Sequence, residues 1–338
     1  MSTPQSGTGR LPAYLRFIAA VLWFFLTRSV ARQEAAGLLN EQWRPLVEQA
    51  IFAFLLLAGC AAMGFVLDHQ QNPLSDQGLP RRAGWQAEAG LGLAVGWALA
   101  VACVIPMVVG GGVAIVLVLQ PSAWMWLVVE AAFFAVVALA EEIAFRGYGF
   151  QHFERAVGGL GAALGFAAFY AIMQALIPGS NRLSVAVSVL LSLMLSTAYL
   201  RTRALWVSWG INFGWKASRA LVFGLTISGV NSHSPVVQGN PMGPFWLTGG
   251  GFGLDGSWTA FFLLLVTLPV VYRLTRELDY QYNAPLIVPG GIPVDLDAAA
   301  KRQHEAAMAP AAPAAPSLIQ ILPVATPPPV RPQEEPKG

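Results

Sequence analysis

Two glutamates and an arginine, Glu141, Glu142 and Arg146, close a long apolar run that begins near Trp124. A charge at the centre of a membrane helix costs roughly 3 kcal/mol or more, so ionisable groups there are functional candidates by default. On a helix Glu142 and Arg146 share a face, whereas Glu141 points about 100° away. One carboxylate is then placed to pair with the guanidinium and the other to accept a proton. The competing reading is a helix end at the lipid–water boundary whose charges reach out to water. A further charge, Lys216, stands on an apolar segment one helical turn after Asn212 and on the same face. An ammonium in hydrocarbon must pair, reach water or lose its proton.

These residues sit in a chain of 338 residues that is 55% hydrophobic and only 11% charged. Soluble chains carry about a quarter charged residues. Several apolar segments approach or exceed the roughly 20 residues that cross a bilayer. The fold class is therefore all-α, a polytopic transmembrane helical bundle of six to eight spans. A net charge of +2 gives no reason to expect nucleic acid. Cys60 and Cys103 both lie inside apolar runs and read as small core residues, not as a disulfide or a metal pair.

Taken in order, residues 11–26 form an apolar and aromatic segment punctuated by Arg16 and followed by Arg28 and Arg32. It reads as an uncleaved membrane-associated helix. Spans are expected over 46–67, 89–109, 124–146, 160–177, 183–200 and 258–274, with a less uniform helix over 204–224 holding Asn212, Lys216 and Arg219. The short apolar piece 113–119 is expected to dip into the membrane without crossing. Residues 225–256 form a Gly/Pro-rich loop without lysine or arginine. Beyond about Ala284 the Pro/Ala-rich composition cannot bury enough apolar surface to offset its ordering entropy, so a disordered tail is expected. Three parts follow: a membrane-associated segment over 1–45, a transmembrane domain over 46–280 and the tail over 281–338. Basic residues favour the cytoplasmic side. That rule puts Arg81, Arg82, Arg146, Arg155, Arg201, Arg203, Arg273, Arg276 and the tail inside, and conflicts with Arg28, Arg32 and Arg44.

Glu141-Glu142-x-x-x-Arg146-Gly147 resembles the first motif of the CPBP family, the CAAX proteases and bacteriocin-processing enzymes, which are intramembrane endopeptidases. Residues 198–206, 223–229 and 247–253 resemble segments that surround the later motifs in bacterial members. The resemblance runs over about 46–274. It implies hydrolysis in or at the membrane, with a glutamate activating water and histidines holding a metal or stabilising an oxyanion. Two motifs depart from the pattern. An aromatic followed four residues later by histidine becomes Tyr170-Ala171-Ile172-Met173-Gln174, and His-x-x-x-Asn becomes Asn212-Phe213-Gly214-Trp215-Lys216. By this resemblance the candidate catalytic residues are Glu141, Glu142, Arg146, Gln174, Asn212 and Lys216. The place of Lys216 in the altered motif directs it towards the two glutamates, where it would bring the cluster to neutrality.

A zinc site takes about three protein ligands from Cys, His, Asp or Glu. Only the two glutamates remain of the family's set, so no cofactor is expected. Of the four histidines, His69 reads as a loop residue, His152 as a solvated residue in a polar turn, His233 as part of an external loop and His304 as part of the tail. One reading is a metal-independent endopeptidase with Glu141 as base, Glu142–Arg146 as a positioning pair, and Gln174, Asn212 and Lys216 as an altered oxyanion site. A second is a pseudoprotease that holds a membrane partner or lipidated peptide. A third, a transporter, lacks a visible inverted repeat. Expected partners are membrane lipids and a membrane-associated or lipidated peptide or protein, with no nucleic acid. The expected location is the bacterial cytoplasmic membrane, with the tail cytoplasmic.

Overall fold

A computed structural model describes residues 10–38, 41–229, 234–282, 301 and 304. The helices are α1 (Arg10–Leu38), α2 (Arg44–Asp68), α3 (Pro73–Asp76), α4 (Trp85–Val109), α5 (Pro121–Arg146), α6 (Tyr148–Val157), α7 (Gly159–Ala175), α8 (Arg182–Thr202), α9 (Trp206–Ala217), α10 (Phe245–Thr248), α11 (Trp258–Leu274) and α12 (Arg276–Tyr282). Five among the described residues are long and apolar enough to cross a membrane: α1, α2, α4, α8 and the stretch Pro121–Val157 that contains α5. Two shorter apolar helices, α7 and α11, join them. The protein is an all-α integral membrane bundle, as the composition requires. The described residues up to Tyr282 belong to one compact unit. The tail, apart from Lys301 and His304, and His233 lie outside the described residues.

Hydropathy alone does not show what form the connection between α4 and α5 takes. Val113–Leu117 is a strand, β1, paired antiparallel with β2 (Val237–Pro241) in the register Val113↔Pro241 to Leu117↔Val237. The apolar run is β-branched and too short for a helix, and a partner strand supplied by the later loop satisfies its backbone. No local signal announces a partner more than a hundred residues away.

The closest helix pairing, α4 against α9, is set by glycine. A side chain on Gly92 or Gly96 would fall 2.2 Å from the Val207 carbonyl or 2.3 Å from that of Ile211. On the facing helix, Gly210 and Gly214 would meet the carbonyls of Ala89 at 2.3 Å and Leu93 at 2.6 Å. These are two Gly-x-x-x-Gly spacings interlocked, the arrangement that lets membrane helices approach backbone to backbone. Two residues along a helix turn it by about 200°. With Gly210 and Gly214 pinned to α4, Asn212 and Lys216 therefore face the opposite way, towards α5.

Trp43 packs on Trp126 with ring centroids 5.0 Å apart, which puts the start of α2 beside the first turns of α5. Arg44 thus lies at the end opposite Arg155, Arg201 and Arg203, a departure from the charge rule that the structure retains. Arg32, at 3.8 Å from Glu48, lies at that same end.

Candidate active site

Helix α5 starts on Pro121 at its first turn and ends at Gly147, where a side chain would come within 2.4 Å of the Ile143 carbonyl. The chain can turn there into α6 only because the Cβ is missing. Glu141, Glu142 and Arg146 therefore occupy the last two turns of α5, next to the packed junction with α6.

They do not reach out to water. The side chains of Glu142 and Arg146 are 0% and 1% exposed, and Arg146 Nη1 donates to Glu142 Oε1 at 3.1 Å. Arg146 Nη2 donates to the backbone carbonyl of Ser192 at 3.1 Å and to its hydroxyl at 3.2 Å, tying α5 to α8. Glu142 Oε2 and Arg146 Nε are buried without a hydrogen-bond partner. The helical spacing of the pair is as the sequence implies, and the neighbours convert an expected helix end into a buried ion pair.

Glu141 points away from that pair, as the 100° step requires, but it is not free. Lys216 Nζ pairs with Glu141 Oε1. Asn212 Nδ2 bridges the two acids, donating to Glu141 Oε2 at 3.0 Å and to Glu142 Oε1 at 3.0 Å. Two carboxylates, one guanidinium and one ammonium thus form a neutral cluster with Asn212 at its centre. Its outer half is the more accessible, with side-chain exposures of 11% for Lys216 and 26% for Glu141.

Five of the six candidate residues meet in this way. Gln174 is buried in the last turn of α7, and its side chain makes no hydrogen bond to the other five among the described residues. The residues do not fit a zinc site. The only carboxylates present already accept from an amide and two cations, and a divalent ion would face the Lys216 ammonium at contact distance. No three His, Cys, Asp or Glu side chains come together among the described residues.

Two neighbouring features escape a sequence reading. Beyond α9 the chain makes a π-helical turn, Ser218–Val222, which holds Arg219. Arg219 Nη1 bonds Asp255 Oδ1 at 2.7 Å, its Nε donates to the Trp215 carbonyl at 3.1 Å, and its guanidinium lies 4.0 Å from the centre of the Trp215 ring. An Arg in an apolar helix demands a partner, but the sequence does not say that Asp255, in a glycine-rich loop, supplies it. The other feature corrects the reading of His152. It is 1% exposed, not solvated. His152 Nε2 lies 3.1 Å from Asp68 Oδ2, which also accepts from the Tyr148 hydroxyl at 2.7 Å, while Asp68 Oδ1 pairs with Arg16 at 3.0 Å. His152 lies on the buried side of the short amphipathic α6, against the end of α2, while Arg155 of the same helix is exposed, so the histidine is a packing residue between helices α1, α2 and α6.

Residues 120–218 match a family model, that of the type II CAAX prenyl endopeptidase Rce1-like proteins. The matched stretch contains all six candidate residues and stops before Arg219 and Asp255. No curated protein and no solved structure matches the chain.

Proposed function

We propose that this chain, a membrane protein of the CAAX prenyl endopeptidase-like CPBP family by its match over 120–218, is a pseudoprotease. In this reading it keeps the family bundle to hold a membrane-associated or lipidated peptide and does not cleave it. The observation that carries the reading is the double occupation of Glu141, whose oxygens accept from Lys216 and from Asn212. A general base must be within reach of the water proton it removes and free to take it. A carboxylate already holding an ammonium on one oxygen and an amide on the other has a lone pair committed on each, which leaves it fewer positions from which to orient a water. The oxyanion side is equally changed. The motif positions that carry histidine in the family hold Gln174 and Asn212, and Asn212 spends its amide on the two glutamates.

The cluster then serves as a neutral polar plug that fixes α5, α8 and α9 around a common point. Integral membrane location follows from the apolar helices. We place the chain in a bacterial cytoplasmic membrane because the segments it resembles are those of bacterial members, and its C-terminal tail on the cytoplasmic side on the strength of the arginines after α8 and α11.

The test is paired. Purified protein in lipid is incubated with a farnesylated C-terminal peptide, and both cleavage and photo-crosslinking are followed. Crosslinking without cleavage is expected. Cleavage that disappears in Glu141→Gln would overturn the reading and restore Glu141 as a base, with Asn212 and Lys216 as oxyanion donors. Absence of both crosslinking and cleavage would also reject the peptide-holding role.

A further inference from the structure

The ribbon formed by β1 and β2 is a surface without an assigned role. Ile115, Val116 and Leu117 are 45%, 59% and 60% exposed, so apolar side chains stand out on both faces of β1. The patch continues on either side. Val109 closes α4 at 83% exposure, and Leu119 precedes α5 at 69%. Trp124 in the first turn of α5, Trp246 in α10 and Trp258 at the start of α11 are each about half exposed. Residues 105–129 and 234–254 contain no charged side chain.

We infer that the ribbon is a membrane-interface anchor, seated in the boundary between acyl chains and headgroups of the leaflet at this end of the bundle. The inference rests on the spans and not on the pseudoprotease reading. Three environments are open to the ribbon, and two are excluded by its own chemistry. Bulk water would leave a contiguous apolar surface unsheltered, which membrane or protein contact normally covers. The hydrocarbon core would strand backbone groups. Among the described residues β1 pairs with β2 alone, so the N–H and C=O groups on its other edge have no strand partner there, and open sheet edges do not occur in lipid. At the interface, acyl chains take the side chains while water and headgroups satisfy the edge. Location agrees with chemistry. The ribbon joins the end of α4 to the start of α5, and three tryptophans at the same end match the aromatic belt of the interface. The patch is continuous with the lipid-facing sides of α4 and α5, where Ile105, Val108, Met125 and Val128 are exposed.

The seat has a mechanical consequence for α9. The Gly239 N–H in β2 donates to the Gly224 carbonyl at 3.0 Å, two residues beyond the π-helical turn that follows α9. Ribbon depth in the leaflet is thereby tied to the segment that follows Asn212 and Lys216.

The experiment uses the full chain in phosphatidylcholine vesicles, with a fluorescent NBD label on Val116→Cys or Leu117→Cys. Cys60 and Cys103 are buried, so labelling is directed to the new thiol, and an unlabelled wild-type reaction checks this. Quenching by lipids carrying a nitroxide at the headgroup, at carbon 5 or at carbon 12 reads depth. Strongest quenching from carbon 5, at least twofold above carbon 12, is expected at both positions, with weak quenching by aqueous iodide. Iodide quenching equal to that of free dye would overturn the inference, since the ribbon would stand in water. Strongest quenching from carbon 12 would overturn it by placing the ribbon in the hydrocarbon core. A label shielded from lipid and iodide alike, or self-quenched in proportion to labelled chains per vesicle, would overturn it in favour of a protein partner or a second copy.

Discussion

Removing the cation from each ion pair in turn should give unequal losses. Arg146→Met keeps the side-chain length but removes the charge facing Glu142. The orphaned carboxylate is 0% exposed and would keep the Asn212 amide on Oε1, with the Ser208 hydroxyl its other polar neighbour. It also forfeits both bonds to Ser192. Breaking a buried pair by removing one partner costs about 3–5 kcal/mol. Lys216→Met orphans Glu141 instead. That carboxylate is 26% exposed and keeps Asn212 on Oε2, so it can hydrate in place. An expected cost of about 1–3 kcal/mol follows, the range for leaving a buried acceptor partly unsatisfied. Adding Glu142→Gln to Arg146→Met, and Glu141→Gln to Lys216→Met, should recover part of each loss because no unpaired charge remains. The assay is reversible unfolding of these four variants and of Glu142→Gln and Glu141→Gln alone in one detergent, with equal slopes required before energies are compared. A Lys216→Met loss as large as that of Arg146→Met would refute the argument from burial. A double variant no better than the sum of its singles would show that the removed charge had another partner.

Replacing Gly96 by leucine should be among the most damaging changes in the bundle, because the new Cβ meets the Ile211 carbonyl at 2.3 Å and neither backbone can move aside; yield of monodisperse protein is the measurement, and wild-type yield would contradict the close approach. Asp255→Asn should destabilise by about 2–4 kcal/mol, since Arg219 is buried and loses its charge partner, and unfolding in detergent would expose a smaller effect as evidence of water at that pair. Asp68→Ala should cost more than Arg16→Ala, because Asp68 serves Arg16, Tyr148 and His152 together whereas the Arg16 side chain is 30% exposed; equal losses would mean that the cluster acts only through its surface pair. Metal analysis of protein prepared without chelator should find no stoichiometric zinc, and about one zinc per chain that disappears in Glu141→Ala would reject the donor argument.

The sequence by itself determined that the chain is a helical membrane bundle, because long apolar runs with few charges leave a chain no other way to satisfy its backbone in lipid. It also determined the Glu142–Arg146 pair, since both lie on one helix and a turn of α-helix brings them together whatever surrounds them. The Gly-x-x-x-Gly spacings at Gly92/Gly96 and Gly210/Gly214 went unread in the sequence, because each is ordinary in a membrane helix until its partner is known. What paired them was tertiary. Helix α9 had to meet α4 at one register for Asn212 to fall between two carboxylates and Lys216 to reach Glu141. The remaining decisions concern partners distant in sequence: Asp255 for Arg219, Asp68 for His152, and β2 for β1. A buried charge or an unpaired strand states in sequence that it needs a partner. Which residue answers depends on how the helices pack, because segments far apart in the chain meet only when the core closes around them.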